Sequence, residues 1–207
     1  MSHYTNFEFQ YTDKSIICKV FKNLGLSYKN TIVKTYGNIK WSVDEYSISE
    51  GTKRNAIMAK RNGFNYFMEY FGNHYELSIE KHNMTSSTKQ ISKSMAKEFQ
   101  EMYVKEVANV FVNKMQEKGI NAVLDEDSKG FIVRFGSIYE KSVLIKMDNG
   151  RVMEEVHGVK GESCVSLTEA LENMLSSADV ELNSEWTEEY YEDPDNELTL
   201  YNLTETK

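Results

Sequence analysis

Apolar residues recur at every fourth position from Ile91 through Met95, Phe99, Tyr103, Val107 and Phe111 to Met115. Met102, Val104, Ala108, Val110 and Val112 widen this row, while Lys93, Lys97, Glu98, Glu101, Lys105, Glu106, Asn109, Asn113 and Glu117 fall mostly on the other side. That spacing predicts a helix over 88–118 with one buried stripe. Ser87-x-x-Gln90 reads as its capping box, Lys114 and Lys118 suit the negative end of the helix dipole, and Gly119-Ile120 reads as a left-handed stop with an apolar clamp. A helix of about eight turns needs a sheet to cover.

Shorter periods surround it. Tyr4–Tyr11 alternates and predicts a strand; Thr12 or Asp13 then caps a helix with Ile16, Ile17, Val20, Phe21 and Leu24 on one face, closed by Gly25-Leu26. Thr31–Tyr36 predicts a strand broken by Gly37, Ile39–Ile48 fits either a strand or an irregular edge, and Ala56–Lys60 predicts a short strand. Phe64–Phe71 and His74–Glu80 flank Gly72-Asn73 as a hairpin, and Ala122–Asp125 and Phe131–Phe135 flank Glu126–Gly130 as another. From Ser142 a ββα unit follows: Val143, Ile145 and Met147 alternate, Asp148-Asn149-Gly150 turns, Arg151–His157 returns, and Ser163 or Ser166 caps a helix to Leu175. The expected fold is therefore α+β: an antiparallel sheet covered by two helices in residues 1–137, a small ββα unit in 138–176, and an acidic tail in 177–207.

Charge sharpens that division. Residues 176–207 hold ten acids and one base, leaving 22 acids and 23 bases in a nearly neutral body. A nucleic-acid binder would carry a clustered basic excess, so no nucleic-acid partner is expected. No apolar run reaches the roughly 20 residues needed to cross a bilayer. The first residues lack the basic start and apolar stretch of a secretory signal. With Cys18 and Cys164 too sparse for a disulfide framework, a cytoplasmic, reducing setting is expected.

Candidate chemistry is thin. His3, His74, His82 and His157 form no His-x-x-His or Cys-x-x-Cys spacing, so no metal, cofactor or catalytic residue is expected. Cys164 stands near a helix start with His157 and Lys160 close in sequence, which suits a reactive thiol; Val165 and Leu167 suit a small buried residue instead. Gly158, Lys160, Gly161 and Ser163 lead from a strand into a helix and form a candidate anion-binding loop, although they lack the order of a nucleotide loop and Glu162 would repel phosphate. The tail is acidic yet aromatic. Trp186, Tyr190 and Tyr191, with Glu188 and Glu189, are candidate anchors for a protein partner, or else a cover for the Val165–Leu175 helix.

Two stretches resemble uncharacterised families. Met1-Ser2-His3-Tyr4-Thr5, the Asp13-led helix and Leu24-Gly25-Leu26 resemble the domain of unknown function numbered twelve fifty-seven, a plastid and cyanobacterial family, over residues 1–135. Asp148-Asn149-Gly150-Arg151-Val152, Gly158-Val159-Lys160-Gly161-x-Ser163-Cys164, Leu167-Thr168-x-Ala170-Leu171-Glu172 and Glu189-Tyr190-Tyr191-Glu192 resemble the family numbered twenty-nine ninety-seven, over residues 140–192. In bacteria the two are commonly neighbouring proteins encoded near an AAA-type ATPase, so the resemblance implies a fusion in an ATPase-linked context. The expected function is a non-enzymatic adaptor or regulator of a protein partner such as that ATPase. The alternatives are a phage-type inhibitor sequestering a host protein and a redox or enzyme accessory using Cys164.

The ββα unit is short for its chain entropy. Residues 140–176 expressed alone should give a poorly dispersed amide spectrum and no cooperative melt; a sharp thermal transition would show an independent domain.

Overall fold

The computed structural model describes residues 3–36, 39–43, 52–81, 85–128, 130–148, 150–160 and 163–191. Along the chain run β1 (His3–Glu8), α1 (Lys14–Asn23), β2 (Tyr28–Tyr36), β3 (Ile39–Val43), β4 (Thr52–Arg61), β5 (Phe64–Tyr70), β6 (Tyr75–Glu80) and α2 (Ser86–Glu117). Then come β7 (Ala122–Asp127), β8 (Gly130–Phe135), β9 (Lys141–Asp148), β10 (Arg151–His157), α3 (Ser163–Leu175), β11 (Asn183–Trp186) and a 3₁₀ turn, Glu188–Tyr191. The class is α+β, as expected, but its antiparallel strands form two sheets: a five-stranded one ordered β3-β2-β4-β5-β6 and a six-stranded one ordered β11-β1-β10-β9-β8-β7. The chain divides into two compact units, Gln10–Tyr103, and Met1–Phe9 with Val104–Lys207. The boundary expected at 137/138 falls instead between hydrogen-bonded neighbours, β8 and β9.

In the Gln10–Tyr103 unit an aromatic core joins the sheet to α1 and the first half of α2. Phe21 lies 5.0 Å from Phe99 and 6.2 Å from Tyr66, and Tyr11 packs edge-on to Phe99 at 5.7 Å and Tyr103 at 5.0 Å, all as ring centroids. The Tyr103 hydroxyl accepts the backbone N–H of Thr12 at 3.1 Å and of Asp13 at 2.9 Å, tying the long helix to the start of α1. Asp13 in turn caps α1, its Oδ1 accepting the N–H of Ser15 at 2.6 Å and of Ile16 at 3.2 Å. On the opposite sheet face Val33, Ala56, Met58 and Phe67 form a second buried cluster. The β4–β5 turn is the two-residue Asn62-Gly63, with φ of 51° and 78°, a pair the reading of Ala56–Lys60 as a short strand passed over.

Both long-helix stops follow the sequence. Gly119 N–H donates to Gln116 O at 2.9 Å and Ile120 N–H to Met115 O at 3.0 Å, with φ of 80° at Gly119. Gly25 and Leu26 close α1 by the same paired bonds, to Lys22 and Phe21. The start of α2 differs from expectation. Thr85, not Ser87, is the cap: Thr88 N–H donates to Thr85 Oγ1 at 3.3 Å and Thr85 N–H to Thr88 Oγ1 at 2.7 Å, a reciprocal box two residues earlier. Ile91 is 48% exposed, so burial of the stripe begins at Met95.

In the other unit Val104, Val107, Ala108, Phe111 and Met115 on α2 are buried, as are Phe7, Val133, Phe135, Val143, Ile145, Val152 and Val156 in the sheet. The ββα segment is no appendage there, because β9 and β10 are flanked by β8 and β1. Nor is all of 177–207 a tail: Asn183–Trp186 is a sheet strand paired with β1.

Phe99 is fully buried and meets three rings. Phe99→Ala should cost about 3–5 kcal/mol through lost contact and a residual cavity, read as a drop in the urea midpoint; an unchanged midpoint would show that α2 is not packed there.

Candidate functional site

The first strand lies between two strands from the far end of the chain. His3 pairs with Val156 of β10 and Trp186 of β11, Thr5 with Glu154 and Ser184, and Phe7 with Val152. Directly opposed residues in an antiparallel pair share a face, so the alternation of β1 sends His3, Thr5 and Phe7 inward, and all three are buried. The result is a polar patch in an otherwise apolar sheet face. The His3 ring stacks on Trp186 with centroids 4.7 Å apart, His3 Nε2 is hydrogen-bonded to the Thr5 hydroxyl, and Thr5 Oγ1 lies 3.1 Å from Ser184 Oγ.

Two carboxyl groups complete the patch. Glu154 is fully buried, and neither of its carboxyl oxygens has a hydrogen-bond partner. Burial, and secondarily the nearby Glu172 of α3, hold its pKa well above the usual carboxylate range. Burial likewise raises Glu172 to about 6, opposed by a hydrogen bond from Thr168 and reinforced by the charge of Glu169. Burial lowers His3 to about 4, so its imidazole is neutral at pH 7, and its Nδ1 has no partner. Among the described residues no group of three His, Cys, Asp or Glu is placed to hold a metal. At pH 7 the patch thus combines a neutral His3 and a protonated Glu154 with a Glu172 whose carboxyl titrates just below neutrality.

Sequence reasoning began the first strand at Tyr4 and missed the roles of His3, Thr5, Glu154 and Glu172. The signal was present: Val152, Glu154 and Val156 share one phase of β10, an acid where the alternation demands an apolar side chain.

The outer side of this edge is the exposed counterpart. All four residues of β11 are exposed, Trp186 is 39% exposed despite its stack on His3, and Tyr191 is 76% exposed on the 3₁₀ turn. Glu181, Glu185 and Glu188 are exposed beside them, and Glu189 and Tyr190 lie in the same turn. The structure therefore brings the expected anchors together on one short strand and turn. Trp186 stacks on His3 of β1. Residues 192–207, with the remaining acids, lie outside the described residues.

The other candidates resolve locally. At Gly158, φ is 73° and an added Cβ would sit 2.8 Å from the Glu140 carbonyl oxygen, so only glycine lets the strands close there. Val159 is buried, Lys160 is half-buried and Ser163 opens α3, while Gly161 and Glu162 lie outside the described residues. Cys164 is buried and its thiol is pushed up to about 11 by burial, so the thiolate that reacts is scarce at pH 7. His74 meets Asn73 Oδ1 at 2.8 Å, His157 Nε2 lies 3.7 Å from Glu155, and His82 is outside the described residues. No described helix is long and apolar enough to cross a membrane. In the Gln10–Tyr103 unit a shallow cleft of about 240 Å³ is lined by Lys14, Asn30, Asn55, Tyr70 and Tyr75.

Residues 144–191 match a family model described as Protein of unknown function (DUF2997). The match runs from β9 through β10, α3 and β11 to the 3₁₀ turn, so it carries Glu154, Glu172, Ser184 and Trp186 but not β1. No curated protein and no solved structure matches the chain.

The raised carboxyl groups give a signed pH dependence. A folded chain that keeps Glu172 protonated above its usual range loses stability as pH rises from about 4.5 through about 6. His3, lowered on folding, acts with the opposite sign between about 4 and 6.5. The carboxyl effect is therefore read as a difference between chains. Glu172→Gln should be near-neutral at pH 4.5 and stabilising by roughly 2 kcal/mol at pH 8, measured by urea unfolding; a pH-independent difference would show an ordinary carboxylate.

Proposed function

We propose that the chain is a non-enzymatic, cytoplasmic binding protein that docks on and regulates a protein partner through the exposed β11 strand and the Glu188–Tyr191 turn. The observation that carries this reading is the exposure of Trp186 on a strand that His3 holds in place from beneath. An aromatic anchor fixed before binding loses little conformational freedom on docking. Glu181, Glu185 and Glu188 around it favour a basic surface on the partner. The strand is a sheet edge, and its shortness and its glutamate discourage edge-to-edge self-association.

An AAA-type ATPase is the partner class that the family resemblances support, including that of residues 1–135 to the plastid and cyanobacterial family. The raised thiol of Cys164 favours the binding reading over a redox accessory.

Charge reversal tests it while sparing the Trp186 stack. Wild-type chain should retain an AAA-type ATPase from host extract and alter its ATP turnover when both are purified. Glu185→Lys with Glu188→Lys, or Tyr191→Ala, should weaken retention by about tenfold or more, and wild-type retention should weaken as salt rises. Retention indifferent to these changes and to salt would place binding elsewhere.

A further inference from the structure

β10 and β11, both inside the family-matched segment 144–191, are not neighbours in the sheet. The strand between them is β1, from outside that segment and from the other end of the chain. His3, Tyr4, Thr5 and Asn6 each pair on both sides, with Val156 to Met153 of β10 and with Trp186 to Asn183 of β11. Beyond them Phe9 N–H donates to Gly150 O at 3.0 Å and Arg151 Nε to Asn6 Oδ1 at 2.8 Å. Without β1, the rows of backbone donors and acceptors on β10 and β11 would stand open, with the His3 and Thr5 sites between them and the Phe7 site along β10.

Those sites have distinct chemistry. The Phe7 site is apolar, bounded by Val152; the Thr5 site lies between Ser184 and Glu154; the His3 site is an aromatic face offered by Trp186. The seated strand also leaves His3 Nδ1 and both Glu154 oxygens without partners. Such unmet polar groups weaken the hold on β1 relative to an all-apolar strand. The chain passes from this unit to the other between Phe9 and Gln10.

We propose that the gap between β10 and β11 is a strand-acceptor site. It binds an extended polypeptide segment of pattern His-x-Thr-x-Phe, antiparallel to both neighbours, and the link from Phe9 to Gln10 is dispensable for that binding. β1 is its occupant within the chain, and a partner protein presenting such a segment can take its place. This site shares Trp186 with the proposed docking surface but rests on the pairing of β1 with β10 and β11, not on that docking.

The test begins with the full chain carrying a protease site inserted between Phe9 and Gln10. After folding and cleavage, fluorescent peptide of residues 1–9 is added and its incorporation followed by anisotropy and gel filtration. The labelled peptide should enter saturably and be displaced by unlabelled peptide. Its Phe7→Asp version should bind about a hundredfold more weakly or not at all. If cleavage costs the fold, residues 10–207 are refolded with and without peptide, and recovery only with peptide supports the site. A cleaved chain that never exchanges its strand even in mild urea, one the peptide cannot restore, or equal binding of the Phe7→Asp peptide overturns the proposal.

Discussion

The two-sided pairing of β1, with β11 over His3–Asn6 and with β10 over His3–Glu8, is the constraint on which the larger sheet depends. Remove it and β11 has no partner among the described strands, Trp186 loses the ring beneath it, and β10 becomes an edge. A central strand is normally apolar on its buried face; this one presents His3 and Thr5 before Phe7. Thr5 reaches Ser184 across the ladder and His3 lies flat on Trp186, so the polar groups determine which strand and which register fit. A one-residue slip would turn all three inward side chains outward. Specificity of pairing, more than depth of burial, is what these residues contribute.

Glu154 and Glu172 show the same trade from the other side. An acid on the inward phase of β10 faces another on α3 with no cation supplied, and both respond by holding their protons above the usual range. A leucine at either position would pack as well without the desolvation penalty. The patch therefore lowers stability at neutral pH in the segment that the family model covers.

Local structure was legible wherever one or two residues decide it. Gly25-Leu26 and Gly119-Ile120 stop their helices because a left-handed residue followed by an apolar one satisfies the last carbonyls, and no distant contact is needed. Asp13 caps α1 for a similar reason. Where several residues compete, the reading slipped: Thr85 with Thr88 outdid Ser87 with Gln90, since serine and threonine offer equivalent hydroxyls and only the chain path chooses. Periodicity also ran past its cause. Ile91 continues the row of α2, but among the described residues it stays 48% exposed. The hairpin pairings were legible, but the sheet membership of β1 was not, because its partners are set by residues far along the chain. The acids of Glu181–Glu189 hid β11 inside what reads as a solvated tail.

The position of β1 in the chain has a consequence for biosynthesis. Its strand is made before both its partners, which emerge after residue 150, and chains grow at about 5–20 residues per second. For a time on the order of ten seconds, an alternating segment ending in Phe7 and Phe9 waits with its backbone unpaired. Contacts of such long sequence separation are also the slowest to form by chance encounter. The polar His3 and Thr5, costly in the finished core, make that waiting segment less adhesive than three apolar residues would be. What weakens the finished sheet thus protects the chain while it is still being made.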